Sequence, residues 1–590
     1  MRKVNIISPS GASLKDCANR FTLWKLAPIA AALSCLTGSG VAMADWTEGH
    51  RGAEGGPEVN KAWSGNGSSG NTSEKNKDDE YWTTSDSNKT WTLKQEVKVE
   101  NVNTGDGRGI YWWLPKNENS TEASVTTVNI NADITAPYST IQIKAPGNAN
   151  LSGLKDATLN IGSADKPVTL TNKTSASQGI KFEFADAANN GKVSFGTLNI
   201  ADGSSVIVPN YPTVLLNGVE LKDINNGGTL DSRSSNGNKQ TKGAVEITNS
   251  SLQNLKNTGK ILGRDYGIHV NGNSTVSSIT NAGTISAERG DGIIVDSSSS
   301  IGLLSSTGGS ISAGQEKGEF AAIRSNGGTI SSISIQDTIL KSDSYGVLNQ
   351  GKISSFSIAG GSIEAPSIAI VNDGKGTIDT LTIDNVDVKS TKTALHNHGT
   401  ITGQTTLKAP DGQTYTVYND SLMADIELSG AVVLTNDRTT ESTGQITGNL
   451  TLQDGANVSV TNSGTMNTLS GAENSTLALT NSGSVKDITG GKNGSLTVDN
   501  QSGTISSVTA GEGSRNSNIT NGADSTINKV TLQNGANVSV TNSGTMKALS
   551  GAENSTLALT NSGSVTDITG GKNGSLTVDN QSGTISSVTA

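Results

Sequence analysis

Apolar residues recur in pairs along this chain, one polar residue apart, and each pair is followed by a turn and a second short apolar run. Val458-Ser-Val460 leads through Thr-Asn-Ser-Gly464 to Met466 and Leu469. The phrase returns as Leu477-Ala-Leu479 with Gly483, Val485 and Ile488, and again as Leu496-Thr-Val498 with Gly503, Ile505 and Val508. Apolar-x-apolar places two side chains on one face of a strand, because the strand period is two. Asn-Ser-Gly predicts a turn, since Gly accepts positive φ and Asn tolerates left-handed geometry. A unit of about 20 residues with at least two strands cannot bury its apolar side alone, but stacked units share a continuous core. The pattern therefore predicts an all-β fold, a β-solenoid. Asn and Ser at equivalent turns are expected to stack into hydrogen-bonded ladders.

The same grammar runs upstream in looser form. Asn257-Thr-Gly259-Lys-Ile261, Asn281-Ala-Gly283-Thr-Ile285, Asn326-Gly-Gly328-Thr-Ile330, Asn349-Gln-Gly351-Lys-Ile353 and Asn397-His-Gly399-Thr-Ile401 repeat the turn and strand. Tyr266-Gly-Ile268, Asp291-Gly-Ile293 and Tyr345-Gly-Val347 repeat a preceding phrase. Near the C-terminus the repetition becomes almost literal. Residues 451–510 and 531–590 align at an offset of 80 and differ only at Asp454/Asn534, Asn467/Lys547, Thr468/Ala548 and Lys486/Thr566. Four rungs of about 20 residues make up that offset, and none of the four differences falls on an inward apolar position. These patterns predict a degenerate solenoid over 121–420 and a regular one over 421–590.

The N-terminal segments read differently. Residues 1–44 have the form of a secretory signal: Arg2, Lys3, Lys15, Arg20 and Lys25 precede an apolar stretch over Leu26–Val41, and Ala42-Met-Ala44 is a small-x-small cleavage site. Residues 45–120 hold Trp46, Trp63, Trp82, Trp91, Trp112 and Trp113, with no tryptophan after them. A cap over the open end of the stack accounts for this segment. A glycan-binding surface of exposed indoles is the sharper alternative.

Charge and cysteine content narrow the function classes. The whole chain has 43 Lys+Arg and 53 Asp+Glu, and removing the signal takes five basic residues and Asp16, leaving 38 − 52 = −14. No basic stripe is available to follow a phosphate backbone, so nucleic acid is not an expected partner. Cys17 and Cys35 both lie in the signal, so the exported chain is expected to lack disulfides and to be held by repetition. With four histidines and no Gly-x-Ser-x-Gly, Walker or His-Glu-x-x-His motif, no catalytic residues are assigned and the chain is not expected to be an enzyme. No cofactor or metal is assigned. His396 and His398 are two apart on one strand face, as a metal pair requires, but no third ligand is near in sequence. Arg289-Gly290-Asp291 matches the integrin-recognition tripeptide, which requires an exposed loop, although Asp291-Gly-Ile293 also fits the rung pattern.

The long basic signal, the cysteine-free exported chain and repeats of the form Asn-Ser-Gly-Thr-Ile resemble autotransporter passengers, surface proteins of Gram-negative bacteria secreted by the type V route. The resemblance covers the signal and most of the chain from about residue 245, and rests on repeat style. It implies a right-handed parallel β-helix, displayed at the outer membrane or released, that attaches to a host-cell receptor, matrix or glycan as an adhesin and virulence factor. A periplasmic location is the alternative. It also implies an outer-membrane β-barrel translocator, whose aromatic girdles find no counterpart here: no Phe, Tyr or Trp follows Tyr418. A longer parent protein, a truncated gene or a separate anchoring partner would each account for that. Other β-helices cleave extracellular polysaccharide with Asp, Arg or Lys clustered on one solenoid face. That is the runner-up function.

Overall fold

The computed structural model describes residues 57–59, 81–85, 90–99, 108–113, 126–144, 154–173, 177–184, 192–233, 242–314, 318–389, 393–439 and 442–590. The signal over 1–44, Trp46, Trp63 and the first part of the expected cap lie outside them. Among the described residues every regular element is a β-strand, and no helix is long and apolar enough to cross a membrane.

The alternation read from the sequence is realised directly. Asn457–Asn462 alternates exposed and buried side chains, with Val458, Val460 and Asn462 inward. The strand pairs in parallel with Ala431–Asn436 before it and Thr476–Asn481 after it, and the register never slips. Any slip of one residue would turn the apolar set outward, so the two-residue period fixes the register. Repeated rung after rung, this pairing builds a parallel β-helix. One sheet has 21 strands, a second runs beside it, and a third has 11 strands ending at Asp387–Val388. One apolar core extends from Trp82 to Ile568, and a small second cluster of Ala321, Leu348 and Val371 lies apart from it.

Rungs upstream of residue 389 therefore have three strands, and those downstream have two joined by a tight turn on the third side. Dropping the third strand shortens the rung. Successive ladder asparagines are 31 and 24 residues apart from Asn226 to Asn281, but 19 or 21 apart from Asn462 to Asn580. The four ladder steps from Asn462 through Asn481, Asn500 and Asn521 to Asn542 span the 80-residue offset, so the duplicated block is four whole rungs. The transition lies some 30 residues before the regular repetition becomes visible in the sequence. Where it occurs, Thr377–Asp384 continues as two short segments, Thr400–Ile401 and Thr405–Lys408, which rejoin at Gln445–Leu452. This is one strand position with an interruption in it.

The Asn-x-Gly turn is built differently from the expectation. The Asn is the last inward residue of its strand, fully buried, and the positive-φ positions belong to other asparagines, such as Asn474 (55°) and Asn493 (56°). Asn481 Nδ2 donates to Asn500 Oδ1 at 2.8 Å and to the Gly483 carbonyl at 3.2 Å, while its Oδ1 accepts from Asn462 Nδ2 at 2.8 Å. The ladder runs unbroken from Asn349 to Asn580. Gly is required at this turn by close approach rather than by φ: a Cβ on Gly483 would collide with the Gly464 carbonyl oxygen of the rung below.

At the N-terminal end the pairing turns antiparallel. Trp82–Ser85 lies against Thr90–Leu93, and Pro57–Val59 against Ile110–Trp113. Trp82, Trp91 and Trp112 are buried there, with Trp82 and Trp91 edge to face at 5.4 Å. Indoles packed inside the stack cannot form the exposed glycan platform that a binding role for these three would need.

Candidate functional site

Outward residues of stacked strands form columns about 4.8 Å apart per step, because the pairing is in register. One column on the 21-stranded sheet reads Glu246, His269, Ile294, Arg324, Leu348, Val371, His396, Tyr418. It continues as Thr435, Thr461 and Thr480. The residues just after the ladder asparagines form a neighbouring column that includes Gln350, Asp373, His398, Asp420 and Asp437. The same column begins upstream with Tyr111, Gln142, Lys181 and Leu215, so chemically varied side chains occupy this face up to Asp437, and beyond it threonine dominates, interrupted by Asp499 and Asp579.

Two centres stand on this face. In the first, His269 is held between two carboxylates: Nδ1 lies 3.1 Å from Glu246 Oε2 and Nε2 lies 2.8 Å from Asp296 Oδ2. Burial draws the imidazole pKa down, but the hydrogen bonds to Asp296 and Glu246 and their charges outweigh it and push it up to about 9. Its hydrogen bond in turn holds Asp296 below the usual carboxylate range. Asn271 donates to Glu246 Oε1 (2.7 Å), the Gly243 amide to Glu246 Oε2 (2.7 Å) and Asn326 to Asp296 Oδ1 (2.8 Å).

Arg289-Gly290-Asp291 adjoins this centre as part of the wall. Asp291 is 2 % exposed, accepts from the Ala321 amide at 2.8 Å and lies 3.8 Å from Arg324. Burial raises its pKa to about 6, against the opposing effects of the Ala321 amide and Arg324. Gly290 is buried, and a Cβ on it would strike the Asp265 carbonyl. The tripeptide is not an exposed loop, and its carboxylate is not presented to a receptor.

The second centre gathers His396, His398 and Asp420. The imidazoles are 3.9 Å apart between centroids, and Tyr418 meets His396 edge-on at 4.7 Å. Asp420 Oδ2 is 2.6 Å from His398 Nδ1. Burial and the charge of His398 lower the His396 pKa to about 4, and burial raises that of Asp420. Tyr418 donates to Asp437 Oδ2 at 2.7 Å, and Ser463 donates to its other oxygen at 2.6 Å.

The sequence reading found the His396/His398 pair but missed Asp420, which comes from the next rung. The signal was present: Asn397 and Asn419 are 22 apart in the ladder, and the same step carries His398 to Asp420. The His269 centre was missed altogether. Its members are 23 and 27 residues apart, the local rung spacings, and only stacking unites them. No family model matches the chain, and no curated protein or solved structure matches it either.

Proposed function

We propose that this protein is an exported, surface-displayed β-helix, a passenger or stalk of autotransporter type, that attaches its bearer to a host-cell receptor, matrix or glycan. The observation that carries this reading is the segregation of side chains on the 21-stranded sheet. Up to Tyr418 this column changes chemistry at nearly every rung and leaves Arg324, His396 and Tyr418 partly exposed for contact, whereas beyond it threonine recurs, interrupted by Asp499 and Asp579, as a spacer would. Half-buried Tyr345 and Ile368, packed beside buried Leu348 and Val371, add apolar area to the varied stretch. Binding of the purified full chain to cells, matrix proteins and a glycan array tests it. Tyr345→Ala is expected to weaken binding several-fold and Thr480→Ala to leave it unchanged. Equal binding by both variants and the parent would overturn the assignment.

A β-helical enzyme on extracellular polysaccharide is the second reading. It is favoured by Glu246, His269 and Asp296, two carboxylates about an imidazole on one solenoid face. Release of reducing ends from a polysaccharide, abolished by Glu246→Gln, would support it and displace attachment.

A further inference from the structure

We propose that His396, His398 and Asp420 bind a divalent transition-metal ion of the zinc class. The three side chains come from two successive rungs, and each offers one ligand atom within 4.8 Å of the others. Tetrahedral zinc with N and O ligands spaces those atoms about 3.4 Å apart. The widest pair must therefore close by up to about 1.4 Å, and the 2.6 Å contact between His398 Nδ1 and Asp420 Oδ2 must give way to a shared ion, both movements open to the His398 side chain, which is 42 % exposed.

Two further observations point to a cation. Asp420 is 3 % exposed, and its Oδ1 has no hydrogen-bond partner among the described residues. His396 Nε2 is buried and equally unpartnered. The Asp420 amide donates elsewhere, to the Asn397 carbonyl at 3.2 Å. Among the described residues the carboxylate forms no ion pair with Lys or Arg, only the contact with His398. A buried carboxylate with one oxygen unsatisfied is costly, and a cation held jointly with two imidazoles removes that cost.

The donor set selects the metal. Two imidazoles and one carboxylate suit zinc, cobalt, nickel or copper, whereas calcium and magnesium favour all-oxygen shells. Three protein ligands leave a fourth position for water or an incoming ligand, on the side where His398 reaches solvent. Tyr418 supports the site from behind: its ring braces His396, and its hydroxyl is tied to Asp437. This inference does not depend on the attachment reading, since metal binding is measured without any host ligand.

The test is calorimetric titration of zinc chloride into the chelator-treated full chain, with cobalt absorption reporting the ligand field. The parent is expected to bind a single equivalent, with a cobalt spectrum of tetrahedral intensity, and excess magnesium or calcium is expected not to compete. His398→Ala, at an exposed position, and Asp420→Asn should each weaken binding at least about 10-fold. His269→Asn, at the other centre, should not. Absence of saturable binding, an unweakened His398→Ala variant, or displacement by calcium would each overturn the proposal.

Discussion

The buried asparagines show how a single side chain secures the stack. Asn481 receives one hydrogen bond from the rung below and gives one to the rung above. Asn481→Ala would leave the Asn500 Oδ1 acceptor without its cross-rung donor, while Asn462 Nδ2 keeps the Gly464 and Ser484 carbonyls. Each buried polar group left unsatisfied costs about 1–3 kcal/mol. The variant is expected to lose about 1–3 kcal/mol in denaturant unfolding, and Asn481→Ser is expected to lose less, since Ser306 occupies the ladder and accepts from Asn281 at 3.1 Å. His269 sets a pH dependence. Its folded pKa of about 9 lies above the ordinary 6.5. The stabilisation is therefore complete below about pH 6.5 and is lost as the pH rises through 9, with a limit on the order of 3 kcal/mol. Asp291, raised to about 6, adds a separate decline between about pH 4 and 6, where its buried carboxyl ionises. The melting temperature should fall between pH 7 and 9.5 in the parent, and this slope should vanish in His269→Asn. An unchanged slope would remove His269 as its source. At this scale the inward apolar residues were legible in the sequence because strand period alone places them. The two histidine centres were not, because their members are a rung apart and only the register reveals which rung positions meet.

At the scale of elements, strand count sets rung length. The third strand ends at Asp387–Val388, and beyond it a turn such as Asp454-Gly455 replaces it, with Gly455 at φ 67°. The sequence revealed the two flanking strands, whose apolar-x-apolar signature is strong. It hid the third, which is often only two to four residues long with one buried side chain, as in Ser310–Ser312. A run that short has no periodicity to read. The glycine turns were found for an incomplete reason: contact with the rung below, seen at Gly483, demands Gly there, and neighbouring rungs are invisible in one chain segment. The duplicated block is modular because it contains whole rungs. Deleting residues 463–542 joins Asn462 to Ser543 and places Ser543-Gly544 after the ladder residue, where Ser463-Gly464 stood. Every strand keeps a neighbour in register, so the deletion variant should fold with the parent's far-UV spectrum per residue.

At the scale of the whole molecule, 20 parallel strands of the long sheet, stacked about 4.8 Å apart, give a rod on the order of 100 Å. One core runs along it without a break, so stability is shared between neighbouring rungs rather than vested in one centre. Side-chain chemistry divides along the same axis: varied up to Asp437, largely repetitive beyond. Small-angle X-ray scattering of the full chain and of the 463–542 deletion measures that architecture directly. The stack predicts a maximum dimension near or above 100 Å for the parent, and a shortening of about 19 Å on removing four rungs with the cross-section unchanged. A radius of gyration near 25 Å, the value for a compact globule of this length, or a deletion that thins the particle without shortening it, would contradict the β-helix on which every other inference stands.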